Sequence, residues 1–227
     1  MKEILEKLQR RIAEAARACG RDPRSSQLVA VTKTVAAKRV AEAIDAGVTI
    51  VGENYIQEAR DKFNTLYDRK VSWHFIGHLQ SNKAKYAVRM FDLIHSVDSL
   101  KLAEALNKEA QKLAKVQQVL IQVNISQEET KSGTTEDEAV DLVTAVSRLD
   151  HLQVMGLMTM PPFFDQPERA RPFFRRLAGL RDRIARQAIP GIRMQELSMG
   201  MTGDFEVAIA EGATLVRIGT ALFGARQ

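Results

Sequence analysis

Short apolar, β-branched runs recur along this chain, and each is followed by a helix-forming stretch. The runs are Gln27–Lys33, Thr49–Val51, Ser72–Ile76, Leu93–Val97, Gln118–Asn124, Leu152–Leu157, Arg193–Ser198 and Thr214–Ile218. Strands that alternate with helices pair in parallel, because each helix returns the chain to the starting edge of the sheet. Eight such units in 227 residues predict an α/β fold, a single-domain closed (β/α)8 barrel of the TIM type. An open doubly wound sheet is the other arrangement, but it usually carries a glycine fingerprint after its first strand. Here that place reads Thr34-Val35-Ala36.

Local signals support the alternation. Gly47 stands where a helix ends, Asp98 or Ser99 stands where the next-but-two begins, and Thr135 and Glu138 have capping-box spacing after a polar loop over Ile125–Gly133. Residues 1–20 place Ile4, Leu5, Leu8 and Ile12 at helical spacing among charges of both signs. That is an extra amphipathic helix packed on the barrel, without the apolar core of a signal peptide. No linker divides residues 1–227, and no apolar run is long enough for a membrane span. The one cysteine, Cys19, has no internal partner, so a reducing, cytoplasmic setting is the expectation.

The net charge of +5 raises nucleic acid as a partner. Seven arginines fall between Arg169 and Arg186. On a helical wheel Arg171, Arg175, Arg176, Arg183 and Arg186 share one arc, opposite Phe173, Leu177, Leu180 and Ile184. With no zinc-finger, RNP or helix-turn-helix signature beside it, that basic arc is read as a solvated face and not as a nucleic acid site.

In a barrel, ligands sit on the loops that follow the strands. Lys33 closes the first run, just before a helix. An amine in such a partly dry crevice gives up its proton more readily and can attack carbonyls; a lysine reaching to the surface is the plainer reading. After the seventh run comes Ser198-Met199-Gly200-Met201-Thr202-Gly203, and after the eighth Gly219-Thr220. Both offer small residues, hydroxyls and helix starts, in the place where barrels hold phosphate. Arg217, in the last run, needs a partner if it points inward: a ligand or a structural ion pair. A lysine amine, an anion cup and an arginine on one face suit an aldehyde-bearing aromatic phosphate. Pyridoxal 5′-phosphate (PLP), held as a Schiff base, is the obvious candidate.

Six segments carry a resemblance. They are Ala30-Val31-Thr32-Lys33-Thr34, Gly52-Glu53-Asn54-Tyr55-Ile56-Gln57-Glu58, Trp73 through Lys83, Gly156-Leu157-Met158-Thr159-Met160, Leu197-Ser198-Met199-Gly200-Met201 and Val216-Arg217-Ile218-Gly219-Thr220. In order and spacing they resemble the pyridoxal phosphate homeostasis protein family, which has the fold of the alanine racemase N-terminal domain. The resemblance implies that Lys33 is the PLP Schiff-base lysine. It implies a phosphate cup of Ser198, Gly200, Thr202, Gly219 and Thr220, Arg217 against the pyridine nitrogen, and Asn54 and His74 lining the pocket. Thr202 departs from the family's usual serine but keeps the hydroxyl.

A charged arginine disfavours a proton on the ring nitrogen, and so weakens the ring as an electron sink. A racemase of this type also takes a second base from a C-terminal domain, and the sequence ends at Gln227. The expectation is therefore a non-enzymatic carrier that buffers PLP and supplies it to PLP-dependent apoenzymes, as a monomer or weak dimer. Amino acid and keto acid pools would shift indirectly. A weak PLP-dependent racemase or other Schiff-base enzyme is the alternative. No metal site is expected: His74 and His78 straddle Gly77 without an HExxH pattern. There is no nucleophile elbow or Walker loop, and Cys19 has no activating neighbour. The methionines of Met155–Met160 read as pocket wall and core filler.

Overall fold

Each apolar run pairs with the next, and the last pairs with the first. In the computed structural model, which describes residues 1–128 and 131–224, the strands are β1 (Gln27–Val31), β2 (Ile50–Glu53), β3 (Ser72–Phe75), β4 (Leu93–Val97), β5 (Gln117–Gln122), β6 (Leu152–Met158), β7 (Ile192–Met201) and β8 (Leu215–Ile218). All neighbours are parallel, and the barrel closes where Val29 of β1 pairs with Arg217 of β8. The helices are α1 (Lys2–Ala18), α2 (Ala37–Asp45), α3 (Ile56–Thr65), α4 (Ala84–Met90), α5 (Leu100–Lys112), α6 (Ala139–Val146), α7 (Arg171–Arg186), α8 (Phe205–Ala210) and α9 (Thr220–Phe223). The (β/α)8 barrel is thus the architecture.

Strand alternation sorts the apolar residues into two layers. Val29, Ile50, Leu93, Leu120, Met155, Met158 and Leu215 fill the barrel interior. Their neighbours in sequence, among them Ala30, Val51, Ile94, Val119, Val154 and Val216, face the ring of helices. Met155 and Met158, both in β6, are therefore core filler. Helix α1 buries Leu5, Leu8, Ile12 and Ala16 in the outer layer. Arg11 pairs with Glu206 of α8 and stacks over the Phe205 ring at 4.7 Å.

Capping follows the sequence signals. Ser99 is the cap of α5, its hydroxyl accepting from the Leu102 N–H at 3.4 Å. Thr135 accepts from the Glu138 N–H at 3.2 Å, although α6 itself begins only at Ala139. Of the loop expected over Ile125–Gly133, residues 129 and 130 lie outside the described residues, as do residues 225–227 at the expected end of the domain.

Two boundaries matter for the site. β7 runs three residues further than its apolar run suggests, to Met201, and β1 stops at Val31, two residues before Lys33. On α7 the buried aromatic is Phe174, not Phe173, because the helix starts at Arg171 and its apolar stripe falls on Phe174, Leu177, Leu180 and Ile184. Its arginines are largely spent within the chain. Arg171 reaches Glu168 at 2.6 Å and Glu211 at 2.7 Å, Arg175 reaches Glu211 at 3.1 Å, and Arg176 reaches Glu136 at 2.7 Å. Among the described residues, no helix is long and apolar enough to cross a membrane.

Candidate functional site

The loops after β1, β7 and β8 meet at a cavity of about 810 Å3. From the first come Lys33 and Thr34, from the second Thr202, Gly203 and Asp204, and from the third Gly219 and Thr220, with Arg217 at the floor and Phe163 and Phe164 at the wall. Four of the predicted residues beyond Lys33 (Thr202, Arg217, Gly219 and Thr220) are therefore brought together with it. Phe164 is fixed from behind: it stacks on Phe173 at 5.8 Å and lies under the Arg169 guanidinium at 4.8 Å.

Lys33 sits in a turn past the end of β1, not within the strand. Thr32 still continues the ladder, its N–H donating to Gly52 O at 2.9 Å. The chain then bends at Thr34, whose φ of +62° is unusual for a β-branched residue.

The turn after β7 is closed by Asp204. Its carboxylate accepts from the Met201 N–H at 2.6 Å, and its own N–H donates to Met201 O at 3.1 Å. Burial pushes the Asp204 carboxyl up, against the pull of the Met201 N–H and Arg217. Helices α8 and α9 start at Phe205 and Thr220, and the first N–H groups of a helix have no acceptor within it. Hydroxyls of Thr202 and Thr220 stand beside them on the cavity wall. This is chemistry suited to an anion with several oxygens.

Arg217 is almost entirely buried. Nη1 donates to Ser198 Oγ at 2.5 Å, and Nη2 donates to the Thr159 carbonyl at 2.9 Å. Among the described residues, no carboxylate lies within ion-pair distance of it, so the structural ion pair considered from sequence is not formed. Burial pushes its pKa down to about 10, partly countered by Asp204, which leaves it charged at neutral pH. A buried cation held only by neutral groups calls for an anion or a strong acceptor on its open side.

Behind Arg217 lies a polar chain inside the barrel. Ser198 Oγ is 2.9 Å from His95 Nδ1, and His95 Nε2 is 3.0 Å from His74 Nδ1. Burial holds both imidazoles neutral: His74 is pushed down to about 4, and His95 well below its usual value. Because Ser198 accepts from Arg217, its own proton is free to go to His95 Nδ1, which then donates from Nε2 to His74. The hydrogen bonds thus run in one direction, away from the cation.

Four of the expected residues stand outside the wall of this cavity. Ser198 is fully buried and buttresses Arg217. Gly200 also lies within β7, not in a loop. Its φ of +88°, and the 2.5 Å that would separate an added methyl from Ala208 Cβ, show that it lets the strand pass under α8. His74 belongs to the buried chain, two residues removed from Arg217, and does not line the cavity. Asn54 lies past the end of β2 and is likewise not part of the wall, but its Oδ1 is buried with no protein partner. Gly77 packs on it so closely that a methyl there would meet Asn54 O at 2.2 Å.

His95 was missed from sequence. The available signal was a histidine alternating with apolar residues in Leu93-Ile94-His95-Ser96-Val97, a strand buried along its whole length. Also missed was a buried charge cluster beneath Lys33. Glu53 is fully buried at the end of β2, where burial pushes its carboxyl up. Lys62 of α3 donates to Glu53 at 2.7 Å and to Glu58 at 2.6 Å, and also reaches the Thr32 carbonyl. The i, i+4 spacing of Glu58 and Lys62 was its signal.

The alanine racemase N-terminal domain model matches residues 4–227. A pyridoxal phosphate homeostasis protein of Aquifex aeolicus is 44% identical, over 99% of this chain and 98% of its own. The chain belongs to the pyridoxal phosphate homeostasis protein family. The member from Escherichia coli K12 is 43% identical over 98% of this chain and 95% of its own. Among solved structures, PipY of Synechococcus elongatus PCC7942 with PLP bound is 38% identical, with a TM-score of 0.82, and covers 94% of this chain and 100% of its own. The family fold is the one described above.

Proposed function

We propose that the chain binds PLP as a Schiff base on Lys33 and serves in intracellular PLP homeostasis, holding the cofactor and supplying it to apoenzymes. The observation that carries this reading is Arg217: a buried cation without an acidic partner among the described residues, on the floor of a cavity that also holds a lysine and two helix starts. The residues present fit the group. The phosphate dianion suits the Thr202–Asp204 turn and Gly219-Thr220, and the ring nitrogen suits Arg217 as an acceptor.

When bound, PLP supplies an aldehyde that captures amines. Lys33 would hold the group covalently through its amine, with the aldehyde oxygen lost as water. Arg217, fixed by Ser198 and the Thr159 carbonyl, would orient the ring and disfavour a proton on its nitrogen. That favours retention over carbanion chemistry, so we read the chain as a carrier and not as an enzyme, with indirect effects on amino acid and keto acid pools. The cytoplasmic setting rests on Cys19, an exposed free thiol.

The test is the visible absorption spectrum of the purified protein with PLP, before and after borohydride, beside Lys33→Ala. A reducible band in the wild type that is lost in Lys33→Ala is expected, with no turnover of amino acids. A wild-type protein that stays colourless with added PLP refutes the reading, and turnover abolished by Lys33→Ala would make it an enzyme instead.

A further inference from the structure

Lys33 lies between two threonines tied to one charge cluster, in which Glu53 and Lys62 are buried and Glu58 is half-buried. On one side, Thr32 Oγ1 donates to Glu53 Oε1 at 2.6 Å, and the Thr32 carbonyl accepts from Lys62. On the other, the Thr34 N–H donates to Glu58 Oε1 at 2.5 Å. Lys62 Nζ joins the two carboxylates. Both anchors thus act through the backbone or hydroxyl of Lys33's neighbours.

We propose that Glu53, Glu58 and Lys62 are positioning residues that fix the β1–α2 turn and thereby set how Lys33 is presented to the carbonyl it condenses with; this rests on the Schiff-base reading above. Three observations support it. First, the left-handed conformation at Thr34 is unfavourable for a β-branched residue, and such a conformation persists where its surroundings over-determine it. The bond from Glu58 falls on that residue. Second, the three charged groups come from β2 and α3, so they tie the turn after β1 to elements that are themselves packed in the barrel wall. Third, stability alone is a poor account of them. An ammonium and a carboxylate taken this far from water gain little or nothing over apolar residues of the same size. What they supply that apolar residues would not is a set of directed bonds to Thr32 and Thr34.

A displacement of about 1 Å at a reacting group costs on the order of a hundredfold in rate. The experiment follows two quantities in each variant: the rate of borohydride-trappable Schiff base formation with PLP, and the affinity for pyridoxine 5′-phosphate. The second probe has the same ring and phosphate but an alcohol where PLP has its aldehyde, so it binds without condensing. Lys62→Met is expected to slow trapping by roughly 10- to 100-fold while leaving pyridoxine 5′-phosphate affinity within about threefold of wild type. Glu58→Ala is expected to do the same, and Glu58→Gln, which keeps an oxygen for the Thr34 N–H, to restore most of the rate.

Should Lys62→Met strand Glu53 and fail to fold, Glu53→Gln/Lys62→Met removes both buried charges and carries the same expectation. Trapping at the wild-type rate in the folded variants overturns the proposal. So does a parallel loss of rate and pyridoxine 5′-phosphate affinity, which marks a merely structural role. A wild-type protein that binds pyridoxine 5′-phosphate but forms no trappable bond with PLP has a different signature: it overturns the Schiff-base reading itself, and the positioning role with it.

Discussion

The His74–His95 pair makes the fold acid-sensitive by an amount that can be worked out. An unfolded histidine titrates near 6.5, while burial holds His74 at about 4. Between those values the unfolded chain binds a proton that the folded chain refuses. Stability therefore falls as pH drops through this window and is flat above it. For His74 alone the loss between pH 7.5 and pH 5 comes to about 2 kcal/mol. His95, fully buried and also shifted down, adds with the same sign. The perturbation is His74→Asn, which keeps a hydrogen-bonding atom where Nδ1 meets His95 and removes the titration. Glu53 and Asp204 shift the other way, their carboxyls raised by burial, but they are common to both proteins and cancel in the comparison. Urea unfolding at pH 7.5, 6.5, 5.5 and 5 gives the stabilities. The variant starts lower for lost packing, and its stability should then fall by about 2 kcal/mol less than wild type across the range. Parallel curves would refute the claim that the fold excludes the proton from this site.

Three further outcomes follow from the geometry. Arg217→Met removes the buried cation from the cavity, so affinity for pyridoxine 5′-phosphate, measured by calorimetry, should drop by about 1.5–3 kcal/mol, roughly ten- to a hundredfold. Gly200→Ala places a methyl against Ala208 on a left-handed backbone, and should cost about 2 kcal/mol, read as a melting temperature lower by ~4–8 °C. Because Arg171, Arg175 and Arg176 are paired within the chain, the protein should show no salt-sensitive binding to duplex DNA at low ionic strength; a steep salt dependence would overturn that.

The barrel was legible because its signal is repeated: buried parallel strands read as apolar runs, and one misplaced end does not change the count. Ends of strands were not legible, and the site is built on ends. Ser198 read as the last residue of its strand and Gly200 as loop, because glycine usually marks one. In the fold both belong to β7, where the serine answers an arginine 19 positions later and the glycine clears a helix. His95 and Glu53 sit at positions where burial is the rule and a polar side chain needs a partner from elsewhere in the chain. Such partners come from tertiary contact, so a single segment shows the polar residue without showing what it does. Lys33, Thr202, Arg217, Gly219 and Thr220 were placed together because barrel topology alone brings the ends of β1, β7 and β8 to one rim.

Charge is distributed in this barrel so that each part of the rim does a different job. Beneath Lys33 the groups are ionic and tie the backbone, through Glu53, Glu58 and Lys62. Beneath Arg217 they are neutral: a serine, a carbonyl and two imidazoles that burial keeps unprotonated. Had a carboxylate stood there in place of Ser198, the guanidinium would have its counter-charge within the protein and less to gain from a ligand. With neutral groups behind it, its charge is left to act on what enters the cavity, while the directional hydrogen bonds hold its plane. Protonating either histidine would set a second positive charge in the same dry interior, so the interior that holds Arg217 in place refuses the proton and the fold loses stability in acid. On the function proposed above, a site arranged in this way would hold an anionic, aromatic ligand and offer its ring no proton, the combination that suits holding a reactive cofactor over turning it against a substrate.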